Sequence, residues 1–170
     1  MKALVVGGTG PTGPHVVAGL RQRGYEVTIF HRGVHEPPEL ADVEHIHGDP
    51  HFKESIAEAL GTRRFDLVLA MYGRVRYLAE VMAGRCERFI SIGGMLGLRG
   101  QDVPDARRPF GFKVLLREDD PIASEEESRI GHLIGMTERK VFELHDQGAF
   151  SATHIRYAEI YGPRSLTPKE

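Results

Sequence analysis

Seven residues near the start of the chain carry the chemistry that is easiest to read. Gly7-Gly8-Thr9-Gly10-Pro11-Thr12-Gly13 sets glycines at 7, 10 and 13, a G-x-x-G-x-x-G spacing. Side chains are missing where a backbone must bend sharply, so N–H groups can approach a pyrophosphate. A helix opening behind them would aim its positive end at the same anion. The alternative is a tight turn that holds no ligand. Further on, His31-Arg32-Gly33 carries no carboxylate to hold a ribose 2′-hydroxyl, and positions 30–33 are free of acidic residues altogether. Arg32 offers a planar fork of donors that suits a 2′-phosphate, or it is a solvated surface arginine.

These residues need elements to position them. Lys2 to Val6 is a short apolar run stopped by glycine, which reads as a buried strand. Pro14 to Arg23 shows Val16, Val17 and Leu20 at helical spacing and ends at Gly24. Further strands are expected at Glu26 to His31, Val43 to His47, Phe65 to Ala70, Arg88 to Ile92 and Thr153 to Tyr157. Helices are expected around Phe52–Leu60 and Tyr77–Met82, and from a cap at Ser124 through Ile130, Leu133, Ile134, Val141 and Leu144 to Gly148. Residues 95–123 form a long basic loop rich in Gly, Pro and Arg. Strands alternating with helices predict a doubly wound parallel sheet of the α/β class, covered by helices on both faces.

Composition narrows the class. At 170 residues the chain fits a single domain spanning 1–170, long enough to bury roughly 70% of its unfolded surface without disulfides or metal. Lys+Arg number 22 against 24 Asp+Glu, a net charge of −2, which argues against nucleic acid as the main partner. The single cysteine, Cys86, excludes an internal disulfide framework and suits a reducing, cytoplasmic setting. No run approaches the ~18 apolar residues of a membrane helix, so no membrane partner is expected.

The run Gly7–Gly13, followed by Gly24-Tyr25-Glu26-Val27-Thr28 and Phe30-His31-Arg32-Gly33, resembles the short-chain dehydrogenase/reductase superfamily. It is most similar to the extended and atypical branches, which include the NAD-dependent epimerase/dehydratase family. Gly48-Asp49, Arg88-Phe89-Ile90-Ser91, Arg117-Glu118-Asp119-Asp120-Pro121, Ile155-Arg156-Tyr157 and Ile160-Tyr161-Gly162-Pro163-Arg164 resemble further family motifs. The resemblance implies a Rossmann-like sheet of three α/β/α layers with strand order 3-2-1-4-5-6 and a dinucleotide cofactor; Arg32 favours NADP(H), with NAD(H) as the alternative. The implied cofactor residues are Gly7, Gly8, Thr9, Gly10, Pro11, Thr12, Gly13, His31, Arg32, Asp49 toward the adenine, and Ala70. It also implies an oxidoreductase or epimerase acting on a small or nucleotide-linked substrate. Relatives pair through two helices, corresponding here to residues around 72–84 and 124–147, which leaves a homodimer open.

Two departures matter. The family's chemistry uses Tyr-x-x-x-Lys on the long helix, and no tyrosine in this chain has lysine four residues later. Alignment on Glu138 sets Ile130 and Ile134 at the tyrosine and lysine positions, read here as part of the helix's apolar face. The family's serine position falls near Gly94, with Ser91 three residues earlier. Extended members also carry a C-terminal substrate domain, which this chain is expected to lack. Catalytic candidates reduce to Tyr72, after the fourth strand, and His132. A non-catalytic NADP(H)-binding redox sensor is the alternative. An RNA-binding relative rests only on Arg99, Arg107, Arg108, Lys113, Arg117, Phe110 and Phe112 in the basic loop. His45, His47 and His51 suggest a metal, but no acidic or cysteine ligand completes a set by sequence, so no metal site is expected.

Overall fold

The structure is a computed structural model that describes residues 1–100 and 117–157. β1 (Lys2–Val6), β2 (Glu26–His31), β3 (Glu44–His47), β4 (Phe65–Ala70), β5 (Cys86–Gly94) and β6 (Ser151–Tyr157) form one sheet in the order β3-β2-β1-β4-β5-β6. Every pairing is parallel. This is the predicted doubly wound topology. The helices are α1 (Gly13–Gln22), α2 (Lys53–Leu60), α3 (Val75–Met82) and α4 (Arg129–Asp146).

Successive β1 residues face opposite layers, which is why an unbroken apolar strand is needed. Leu4 and Val6 pack with Ile56 and Leu60 of α2, Leu78 and Met82 of α3, and Val141 of α4. Ala3 and Val5 pack with Val17 of α1, and with Leu40 and Val43 from the β2–β3 connection. That connection contains a single 3₁₀ turn, Pro38–Leu40, in place of a helix. Phe89 is fully buried and stacks on Phe150, with ring centroids 4.8 Å apart.

The structure moves the start of the long helix. Ser128, not Ser124, caps α4, its hydroxyl accepting the Gly131 N–H at 2.9 Å. Ser124 instead organises the preceding turn, accepting the Glu127 N–H at 3.2 Å. Glu127 is drawn away from the helix by the Arg99 guanidinium and the Gly100 N–H. Both ends of the 95–123 segment are tied together by an antiparallel bridge between Leu98 and Ile122. Arg107, Arg108, Phe110, Phe112 and Lys113 lie outside the described residues, as does the Tyr161-Gly162-Pro163 motif.

A second correction concerns the apolar face of α4. Ile130 is 59% exposed, and Leu133 and Met136 are exposed as well. The helix turns Gly131, Gly135 and Val141 inward instead. Glycine is required at 131 because a Cβ there would lie 2.5 Å from the Leu96 carbonyl oxygen. Among the described residues no helix is long and apolar enough to cross a membrane.

Truncating the stacked pair tests where the core's strength lies. Phe89→Ala is expected to cost about 3–5 kcal/mol, read as a lowered urea midpoint.

Candidate functional site

β1 ends at Gly7, whose φ of +90° suits glycine. A Cβ there would also lie 2.3 Å from Tyr72 Cβ. Gly13 opens α1 pressed onto the same turn, since a Cβ at 13 would lie 1.9 Å from the Gly8 carbonyl oxygen. Gly10 differs from both. A Cβ at Gly10 would meet nothing within 4 Å, and its φ is not among the positive values. Protein packing therefore explains glycine at 7 and 13 but not at 10. α1 carries no side-chain cap at Thr12; the Gly13 N–H donates to the Gly10 carbonyl at 3.0 Å and Pro14 has no N–H, so within the first turn His15 is the residue that offers an N–H to a ligand or water.

A cavity of about 720 Å³ opens over this turn, a size typical of small-molecule sites. Gly7, Thr9, Gly10, Pro11, His31, Arg32 and Tyr72 all line it. The Arg32 guanidinium carbon is 5.6 Å from the Tyr72 ring centroid, within cation–π range. Tyr72 also meets His51 edge-on, with centroids 5.1 Å apart. Gly8, Thr12 and Gly13 build the turn beneath the cavity.

The other sequence candidates fall at varying distances from this cavity. Asp49 Oδ1 accepts the backbone N–H and ring Nδ1 of His51, at 2.9 and 2.8 Å. These bonds, backbone first, hold the Asp49 carboxyl below the usual carboxylate range. Ala70 is fully buried at the end of β4. His132 sits in the first turn of α4 with Nδ1 3.3 Å from the Ala123 carbonyl, and is not among the cavity's lining residues. The Cys86 thiol is buried and pushed up to about 12 by desolvation, which removes it as a nucleophile.

The expectation about the histidines is corrected. His45 and His47 do find an acidic neighbour, Glu36, and a third imidazole, His31, while His51 stands apart with Asp49. One ligand atom from each of His31, Glu36, His45 and His47 lies within 4.8 Å of the others. β2–β3 pairing sets His31 opposite His47. Glu36 comes from the following connection, which strand reading alone does not bring near. Burial, followed by the neighbouring His45 and His47, pushes His31 below its ordinary value.

A second polar group lies across the sheet, under α4. Ser91 is fully buried, with Oγ 2.7 Å from His154 Nδ1. With the ring proton on Nε2, the hydroxyl donates to Nδ1 and the proton faces Glu138, 3.5 Å away. Arg156 grips Glu138 through two bonds of 3.0 and 2.6 Å. Ser91 thus serves a buried network. Ile134 packs toward Gly94 and Gly97, where a Cβ at 97 would lie 2.9 Å from Ile134 Cγ2.

Residues 3–83 match the model of the NAD dependent epimerase/dehydratase family, which bears out the resemblance read from the glycine turn. No curated protein matches the sequence. Among solved structures, a UDP-glucose 4-epimerase from Thermotoga maritima, with UDP-glucose, matches with a TM-score of 0.71 at 20% identity. The match covers 96% of this chain and 57% of that one. A UDP-glucose 4-epimerase from Thermus thermophilus, in complex with NAD, gives 0.70 at 22% identity, covering 96% and 57%. The Bordetella bronchiseptica enzyme WbmG, in complex with NAD and UDP, gives 0.71 at 16% identity, covering 98% and 56%. The chain thus spans little more than half the length of these structures, and the likeness is one of fold.

Burial makes His154 a pH-sensitive element. Desolvation lowers its pKa from the ordinary 6.5, outweighing the Glu138 charge that raises it. The unfolded chain therefore takes up the proton first as pH falls, and stability drops with it. Urea midpoints are expected to hold above about pH 7 and to fall toward about pH 5.5, with a shallower fall in His154→Gln. Parallel pH profiles for the two chains would contradict this.

Proposed function

We propose that the chain, whose residues 3–83 match the NAD dependent epimerase/dehydratase family, binds a nicotinamide dinucleotide in the cavity over Gly7–Gly13. One observation carries the reading. Gly10 lines the cavity, and nothing in the protein within 4 Å requires it to lack a side chain. A pyrophosphate laid against the backbone supplies that requirement. The residues present fit such a group: an uncapped helix start, a bare backbone, and an exposed arginine at the end of β2.

Arg32 sets the finer preference. Its guanidinium would pair with a 2′-phosphate, favouring NADP(H), whereas the solved neighbours from Thermus thermophilus and Bordetella bronchiseptica are complexes with NAD. Asp49 would face the adenine end, with Oδ2 left to act since His51 occupies Oδ1. The neighbours' UDP-glucose and UDP support a nucleotide-linked substrate. When bound, the cofactor supplies hydride chemistry. The chain's own residues would anchor the phosphates, orient the adenosine half and stack Tyr72 along the wall. Tyr72 is the cavity's own phenol, and so the candidate to hold or pass a proton. A second copy would pack on the exposed Ile130, Leu133 and Met136 face of α4.

A second reading, a cofactor-binding sensor without turnover, is favoured by Ile130 and Ile134 at the relay positions, since neither side chain can transfer a proton. NADPH oxidation with any of a panel of small carbonyls would overturn this second reading, because a sensor without turnover consumes no cofactor.

Calorimetric titration with NADPH and NADH tests the proposal. NADPH is expected to bind more tightly, and Arg32→Ala to lose about ten- to a hundredfold in NADPH affinity with little change for NADH. Failure of both dinucleotides to bind would overturn the reading. An unchanged NADPH affinity in Arg32→Ala would overturn the preference.

A further inference from the structure

Strand pairing explains why three imidazoles converge. His31 ends β2 directly opposite His47 of β3, and His45 lies two residues before His47 on the same face. The chain then turns through Gly33, at φ +73°, and returns Glu36 to the same point. Glu36 Oε1 stands 2.7 Å from His47 Nε2, 3.6 Å from His31 Nε2 and 4.0 Å from His45 Nδ1. His31 Nε2 and His45 Nδ1 are 2.7 Å apart. A single hydrogen bond needs one nitrogen facing that oxygen, whereas here three do.

We propose that His31, His45, His47 and Glu36 form a binding site for one divalent transition-metal ion of the zinc class. Imidazole nitrogens and a carboxylate oxygen are zinc's common donors, and four of them suit its tetrahedral preference. Metal–ligand bonds near 2.1 Å place tetrahedral donors roughly 3.4 Å apart. Four of the six separations run from 2.7 to 4.0 Å around that spacing, and all of them are within 4.8 Å. Bringing the four donors onto one centre needs the close pair to open and the wider pairs to close toward that spacing.

The surroundings support the donors. His45 Nε2 lies 2.9 Å from the Leu40 carbonyl, so a proton on Nε2 leaves Nδ1 bare toward the cluster. His31 is buried and forms the floor, while the His47 and Glu36 side chains are about half exposed and give the ion a path in. His31 Nδ1 now accepts the Gly33 N–H at 3.2 Å. Ligation through Nε2 moves the ring proton to Nδ1, and that contact gives way. The ion would tie β2, β3 and the connection between them at the wall of the cavity. His31 is shared with the wall of the dinucleotide cavity, but the four donors converge without any dinucleotide contact.

The test uses tag-free, chelator-treated chain without dinucleotide, titrated with Zn²⁺ alone in competition with a chelating dye. A single tight equivalent is expected. His47→Ala and Glu36→Gln, both at half-exposed positions, are each expected to weaken it by about a hundredfold or more. His145→Ala, at the far end of α4, is expected to bind as the parent does. Circular dichroism on the same samples verifies that each variant is folded. Absence of a tight equivalent in the parent, or equal affinity in the parent and the two ligand variants, would overturn the proposal.

Discussion

The contact between Gly13 and the Gly8 backbone governs the geometry of the cavity. α1 can start only where its first residue presses on the turn that β1 has just made, and a single Cβ there would strike the Gly8 carbonyl oxygen. That contact fixes where the helix axis points, and with it where the uncapped helix start stands. Gly7 adds the bend and leaves room for Tyr72. Once these two glycines are set, the space above Gly10 follows. The parallel sheet keeps the arrangement rigid, because β1 is buried on both faces between β2 and β4.

Two polar clusters flank this centre and differ in how they are satisfied. Under α4, Ser91, His154, Glu138 and Arg156 form a chain that is largely enclosed by the protein. His154 Nε2 is its one buried atom without a hydrogen-bond partner, held off Glu138 by the Arg156 grip. The network joins β5, β6 and α4, so its role is to position elements. At the other end of the sheet, His31, His45 and His47 meet Glu36 at a partly exposed surface, with ring nitrogens turned toward one another and toward the carboxylate. An enclosed cluster fixes a fold, whereas an open one with converging donors is available to a ligand.

Much of this was legible in the sequence, and the reasons are specific. The parallel, doubly wound class followed from alternating elements, because crossover handedness leaves few topologies, and the resemblance supplied the strand order. The glycine turn was legible because glycine spacing reports backbone geometry directly. The cap at Ser128 was missed because Ser124 followed by three glutamates carries the same local signal. Only the pull of Arg99 and Gly100 on Glu127 decides between them. Ile130 was misread because helical periodicity shows a stripe without saying what covers it. The histidine cluster was half visible: His45 and His47 alternate on one strand, but Glu36 reaches them through a turn between strands, a long-range fact that spacing does not contain. The three roles of glycine in the turn also looked identical in sequence and separated only when their surroundings were known.

The central claim is that Gly10 is kept bare for a dinucleotide and not for the fold. Gly10→Ala, measured for both urea stability and NADPH affinity, tests it most directly. The account predicts an unfolding midpoint that is unchanged or slightly raised, since the added methyl meets no protein atom within 4 Å, together with a loss of NADPH affinity of at least about tenfold. A folded variant that binds NADPH as tightly as the parent would contradict it.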